Sequence, residues 1–291
     1  MGLLRNGGKM IMFRSIKLQR LMTNLLAYIV LIAWLTAVLL PFFWMVSTSL
    51  KSYGEVFKIP IKWFPIPPRW KNYPAALTFV PFKIYFKNSL IITLSCVLGE
   101  VLVSSIVAFG FARTKFIGRE IWFVILLATM MLPGQVTLIP VYIIFKNLGW
   151  LNTFKPLIVP SYFGGAFYIF LLRQFFMTIP IELDQAARID GCGDFGIFWH
   201  ILLPLIKPPL VAVSLFSFIG HWNDYFGPLI YLSSVKKYTV GLGLTLFQGT
   251  YFNAWHYLMA ASVAAMLPCI ILFAIGQKYF IQGIVLTGLK G

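Results

Sequence analysis

Few side chains in this sequence could do chemistry, and their spacing narrows the options quickly. It has 291 residues and eight acids. Two of them, Glu100 and Asp224, fall inside long apolar runs, while Glu182, Asp184, Asp190 and Asp194 crowd into the stretch Pro180–Pro204. Glu182 and Asp184 could be imagined as an acid/base pair. They sit in a loop with no burying pocket to tune their pKa values, so enzyme chemistry is not expected there. His200, His221 and His256 are scattered without an HExxH, and Cys96, Cys192 and Cys269 form no CxxC. Neither a metal site nor a disulfide is expected from such spacing. A phosphate-cradling GxxxxGK[ST] is absent as well, so the chain binds no nucleotide through that device.

The elements that must position these groups are apolar. Hydrophobic residues make up 59% of the chain and charged ones 11%, against about 25% charged in a soluble domain. The expected fold class is therefore an all-α polytopic membrane protein. A net charge of +16 would suggest nucleic acid in a soluble chain. In a membrane protein, Lys and Arg serve as topology signals and lipid head-group contacts, so membrane lipid is the expected partner and nucleic acid is not.

Residues 1–24 form a basic terminus with five cations and no acid, and residues 25–46 make a first span. That run is too long for a signal-peptide core and lacks a small-residue cleavage site. Residues 47–88 read as an external loop, whose Trp63, Trp70, Tyr73 and Tyr85 suit an interfacial belt. Apolar runs at 89–112, 121–145, 157–177, 210–232 and 258–277 predict five more spans, within a core of residues 89–291 that carries a cytoplasmic loop at 178–207. Residues 195–206 are apolar but too short to cross. Six spans put both termini on the cytoplasmic side. Of 24 cations, that topology leaves thirteen inside and eleven outside, a weak vote. The short loop Arg113–Arg119 and the acid-free N-terminus vote more strongly.

A carboxylate at mid-membrane costs about 2.5–3.5 kcal/mol, so Glu100 and Asp224 must face the bundle interior or carry a proton. For Asp224, flanked by Trp222, Asn223 and Tyr225, a solute pathway and helix-to-helix hydrogen bonding are both open. For Glu100 the structural role is favoured. Pro133 and Pro140 punctuate the third run, which suits either a kink or a helix lining a route with Gln135 as a contact. Gly164-Gly165 permits close packing or a bend in the fourth. In the loop, Pro180 suits a first helical position, Glu182 and Asp184 complement the positive helix end, and Arg188 lies toward the negative end. Gly191 can take the left-handed turn that ends the helix. Asp194 suits the N-cap of a second helix, stopped at Pro204.

The loop also resembles a known family. Gln185-Ala186-Ala187, Gly191, Ile201, Leu203 and Pro204 fit the pattern Glu-Ala-Ala, three residues, Gly, nine residues, Ile-x-Leu-Pro of the membrane subunits of ATP-binding cassette (ABC) importers, with Gln185 in place of the acid. Pro41–Lys51, the segment Trp63–Leu77 with Asn88-Ser89, His221–Pro228 and the closing Leu286–Gly291 resemble the carbohydrate (maltose-type) permeases. The resemblance implies a type I importer permease fold of six helices in the cell membrane, translocating a sugar or oligosaccharide. It implies a sister permease, two ATPase subunits that bind ATP and magnesium, and an external solute-binding protein. It makes Glu182, Asp184, Gln185, Ala186, Ala187, Arg188, Asp190, Gly191, Ile201, Leu203 and Pro204 the coupling element seated on the ATPase, with small Ala186 and Ala187 admitting a close partner. Trp222, Asn223, Asp224 and Tyr225 would then meet sugar hydroxyls and ring faces. An ion-coupled transporter using Glu100 and Asp224 as a proton relay is the alternative, and it leaves the loop spacing unexplained.

Overall fold

The computed structural model describes residues 5–249 and 253–288, with side chains described over 20–249 and 253–278. The basic side chains Arg5, Lys9, Arg14 and Lys17, and the end of the closing segment, Leu289 to Gly291, lie outside that range. Among the described residues, four helices are long and apolar enough to cross a membrane: Arg20–Ser49, Phe82–Arg113, Lys155–Thr178 and Trp255–Lys278. Two further pairs qualify only as bent units. Arg119–Thr129 and Gly134–Asn147 meet at 96°, and Asp194–Leu205 and Lys207–Trp222 at 80°.

The break in the third run has a local cause. Met130, Met131 and Leu132 close tight i→i−3 bonds to Leu127, Ala128 and Thr129, and Pro133 then takes an extended conformation and starts the next helix. A residue before proline is pushed out of the helical region, so Leu132 is where the first helix must stop. The fifth run differs from the expected 210–232. Its helix ends at Trp222, residues 223–225 interrupt it, and a short helix Phe226–Tyr231 follows.

The described residues form two compact units. The first comprises residues up to Tyr73 together with Ala254–Val263. Here the end of the first helix is tied to the loop after it. The Asn72 amide donates to the carbonyls of Ser49 and Lys51, both at 2.8 Å, and the Ser49 hydroxyl meets the Tyr73 phenol at 2.9 Å. Lys51 is buried with its ammonium 3.9 Å from the Trp44 ring centroid. Glu55 accepts from Lys62 and Ser52, which hold its carboxyl down at about 2.

The second unit, Pro74–Asn253 with residues from Ala264 onward, is built on the helix Phe82–Arg113. The helices Ala166–Thr178 and Lys207–Trp222 lie along it, as do the tight turn Val159–Phe163 and the short helix Val240–Gly243. Lipid tails give apolar helices no hydrophobic reason to associate, so small residues and hydrogen bonds must do it. Ser89 Oγ accepts from the Val240 N–H at 2.8 Å, Ser104 Oγ accepts from the Gly165 N–H at 3.2 Å, and the Asn88 amide donates to the carbonyls of Lys236 and Tyr238, both at 3.0 Å. Gly164 takes φ +77 where the turn gives way to the next helix. Tyr85 corrects an expectation. It is fully buried against Tyr238 and Gly243, so it belongs to the core and not to an interfacial belt.

Gly99 shows how close the packing is. A Cβ there would lie 2.7 Å from the Tyr162 ring, whereas at Gly110 on the same helix the nearest atom is 4.0 Å away. Alanine gains about 1 kcal/mol of helix propensity at either site, but overpacking costs about 1–3 kcal/mol. Gly110→Ala should therefore leave the thermal midpoint of the detergent-purified protein unchanged or raise it. Gly99→Ala should lower it, and equal midpoints would show that the Tyr162 ring yields freely.

Candidate functional site

The loop begins where the helix Ala166–Thr178 ends. Ile179 is extended, Ile181 caps the next helix, and Glu182–Ile189 form two turns. Pro180 thus precedes the cap instead of opening the helix. The helix stops as Gly191 predicts. Gly191 has φ +84, its N–H donates to the Arg188 carbonyl at 3.1 Å, and the Cys192 N–H donates to the Ala187 carbonyl at 2.9 Å. This pair of bonds is a Schellman closure, which satisfies carbonyls the helix leaves open. The Arg188 guanidinium pairs with Asp194 across the turn. Gly193, not Asp194, takes the N-cap of the following segment, with Asp194 as its first residue. That segment widens to a π-helix over Ile197–Leu202, returns to α-helix at Leu203–Leu205 and passes straight through Pro204. The stop falls at Ile206.

Two faces of the short helix do different things. Ala187 is buried in the same apolar cluster as Phe109, Leu172, Phe176, Phe198 and Leu202. Asp184 is buried too, its Oδ2 3.7 Å from the Arg113 Nε, both side chains only 5–6% exposed. Burial pushes the Asp184 carboxyl above its usual range, while the charges of Arg113 and Arg188 pull the other way. The expectation that Ala187 and Asp184 face a partner is therefore corrected: both point into the chain's own fold. Glu182, Gln185, Ala186, Arg188, Asp190 and Gly191 are exposed. So are large apolar side chains that the motif did not single out: Ile189 at 87%, Phe195 at 72%, and Trp199, stacked on Phe195 at 6.2 Å between centroids. Pro204 is exposed, and Ile201 and Leu203 are half-buried against the cluster.

Arg113 was missed as a site residue because the sequence shows it only as one cation of a short loop. It ends the helix Phe82–Arg113, and its Nη2 donates to the carbonyls of both Phe176 and Ile179 at 2.6 Å. These carbonyls close the neighbouring helix, where Pro180 has no N–H to give, the backbone offers Phe176 the tight bond from the Ile179 N–H at 3.3 Å, and a cation is favoured. Arg173 answers from that helix, its Nε 3.4 Å from the Phe111 carbonyl and its guanidinium carbon 4.1 Å from the Phe123 ring centroid.

The residues singled out within the spans do not assemble into one cluster. Glu100 Oε1 meets His221 Nε2 at 3.2 Å, joining the Phe82–Arg113 and Lys207–Trp222 helices. Trp222 is buried, stacked on Phe218 at 5.5 Å, and its indole donates to the Ala265 carbonyl at 2.9 Å. It holds helices together rather than lining an open route. Asn223 donates to the Ile219 carbonyl of its own helix at 2.9 Å, and Asp224 Oδ1 accepts from the Gly227 N–H at 3.0 Å, turning the chain into Phe226–Tyr231. Tyr225 and Gln135 are exposed, the latter just after the Pro133 break.

Comparison with known proteins gives this arrangement its context. Residues 100–285 match the family described as binding-protein-dependent transport system inner membrane component. A probable ABC transporter permease of Pyrococcus horikoshii is 37% identical, covering 91% of this chain and 96% of its own. An arabinooligosaccharides transport system permease protein of Bacillus subtilis is 34% identical, covering 87% and 91%. The crystal structure of a bacterial ABC transporter involved in the import of the acidic polysaccharide alginate superposes with a TM-score of 0.80 at 23% identity, over 89% of this chain and 96% of that one, so the fold is shared. This chain belongs to the binding-protein-dependent transport system inner membrane components and is a permease subunit of an ABC importer.

Proposed function

We propose that this permease translocates a sugar or oligosaccharide delivered by an external binding protein, beside a sister permease, and that the loop Pro180–Pro204 seats on ATP-binding cassette subunits at the cytoplasmic face. One observation carries the loop reading. A short helix, closed by Gly191 and the Arg188–Asp194 pair, is anchored on one face, and Ile189 at its end and Phe195 just past the turn are exposed in a stretch that also exposes Glu182, Arg188, Asp190 and Asp194. Large apolar side chains fully outside the fold mark an interaction site. Relatives named for arabinooligosaccharide and diacetylchitobiose uptake support the solute class. The ion-coupled alternative is not retained, since the chain belongs to the binding-protein-dependent permeases of ABC importers. ATP and magnesium would be held by the cassettes.

Three substitutions test the seat. Ile189→Asp places a charge where an apolar contact is proposed, and Gly191→Val opposes the left-handed turn, with nothing within 4 Å to add a clash. Each should release the cassettes on co-purification and abolish solute-stimulated ATP hydrolysis. Gln185→Glu, at an exposed position, should preserve or tighten coupling. Cassettes retained with normal hydrolysis in both loss variants would sink the reading.

Orientation is tested with native thiols. Cys192 is exposed, Cys96 is buried and Cys269 is half-buried. An impermeant maleimide should leave Cys192 unlabelled in intact cells and label it in inside-out vesicles washed free of the ATPase. Labelling from outside would reverse the topology, including the cytoplasmic placement of both termini.

A further inference from the structure

We propose that Arg113 is the positioning residue of coupling, tying the loop helix to the ends of two membrane helices so that the three move as one body. The inference rests on the proposed seat of the loop and says what happens behind it. Three elements converge on one guanidinium. It belongs to the last residue of Phe82–Arg113, its Nη2 holds the carbonyls of Phe176 and Ile179 at the end of Ala166–Thr178, and its Nε faces Asp184 in Glu182–Ile189. The exposed face of the loop helix is free to meet a partner, while Asp184 and Ala187 on its other face are buried in this chain.

A displacement applied to the loop must therefore be carried inward through this junction. Apolar packing at Ala187 alone would let the short helix roll, because dispersion contacts have little directionality. The Arg113 guanidinium, held in place by the Phe176 and Ile179 carbonyls, sets its charge 3.7 Å from Asp184 Oδ2, and a roll would draw these buried charges apart. The Asp184 Oδ1 and the Arg113 Nε make no hydrogen bond of their own, so the ion pair has room to shorten from 3.7 Å when the loop is pushed inward. Arg173, reaching back to Phe111, doubles the tie between the two membrane helices but does not touch the loop helix. Arg113 makes a polar contact with each of the other two elements, on top of the apolar cluster that Ala187 shares with Phe109 and Phe176.

The test is the number of solute molecules moved per ATP hydrolysed by the complete complex in proteoliposomes. Asp184→Asn keeps shape and removes the charge facing Arg113. Cassettes should still co-purify and hydrolysis should continue, while transport per ATP falls at least tenfold. Arg113→Gln should do the same, and the double variant should be no worse than Arg113→Gln alone, since both changes cut one connection. Arg113→Lys should recover part of the ratio, because a compact ammonium keeps the charge and three donors but lacks the planar fork that reaches the two carbonyls and Asp184 from separate nitrogens. A purely structural role predicts the contrary result: transport and hydrolysis falling together with the amount of assembled complex. If Arg113→Gln fails to assemble, Asp184→Asn decides. A normal ratio in Asp184→Asn overturns the inference. Cassettes that stay bound to Ile189→Asp would overturn the seat itself and this inference with it, whereas release by Ile189→Asp with a normal ratio in Asp184→Asn overturns this inference alone.

Discussion

Two carbonyls at the end of the Ala166–Thr178 helix, those of Phe176 and Ile179, need donors where helical ones run out: Pro180 has no N–H to give, and the backbone offers Phe176 the tight bond from the Ile179 N–H at 3.3 Å. The Arg113 side chain supplies both from the end of another helix. A hydrogen bond to a charged group contributes about 1.5–3 kcal/mol, and removing one partner of a buried pair costs about 3–5 kcal/mol. The junction is thus among the stronger local constraints in the second unit. It fixes where the loop starts, because Ile179 is both an acceptor of Arg113 and the residue at which the chain leaves the helix. It also explains why Asp184 is tolerated in a buried place. A carboxylate there without a cation would be left uncompensated.

The broken helices follow a related logic. An apolar environment requires that freed backbone groups find partners within the protein. At Pro133 the last turn tightens so that three amides remain satisfied before the 96° bend. At residues 223–225 the Asp224 side chain takes the Gly227 amide, and the Asn223 side chain takes the Ile219 carbonyl. The polar residues of that segment serve the bend itself. Their composition looks like a binding motif, and much of their hydrogen-bonding capacity goes into the backbone.

Much of this was legible in the sequence where one short stretch decides the outcome. Composition and run lengths gave the all-α membrane class, and the spacing from Gln185 to Pro204 gave the family. Gly191 announced its left-handed turn because few other residues take it. What could not be read depends on residues far apart in the chain. Asp184 looks like an exposed acid near a helix start until Arg113 is placed beside it. Ala187 and Ala186 are adjacent and identical, yet the helical repeat turns one inward and the other outward. Tyr85 reads as an interfacial ring because tyrosine is common there, and its burial is set by Gly243. Trp222 was drawn toward a solute pathway by its neighbours, while its indole N–H had a buried carbonyl to satisfy, at Ala265.

The departure at Gln185 gains meaning from the same division of faces. Gln185 lies on the exposed side of the helix, beside Ala186 and away from Asp184 and Ala187. An amide there forms neutral hydrogen bonds worth about 0.5–1.5 kcal/mol, less than the charge-assisted bonds of a carboxylate. Burying an exposed isoleucine or phenylalanine yields about 1.5–3 kcal/mol, and the loop presents both at Ile189 and Phe195. In the proposed seat, apolar contact can therefore outweigh the charge that Gln185 lacks. Such contact resists separation but has little directional preference. Direction must then come from the rigid turn at Gly191 and from the anchored inner face, which is where Arg113 holds the helix.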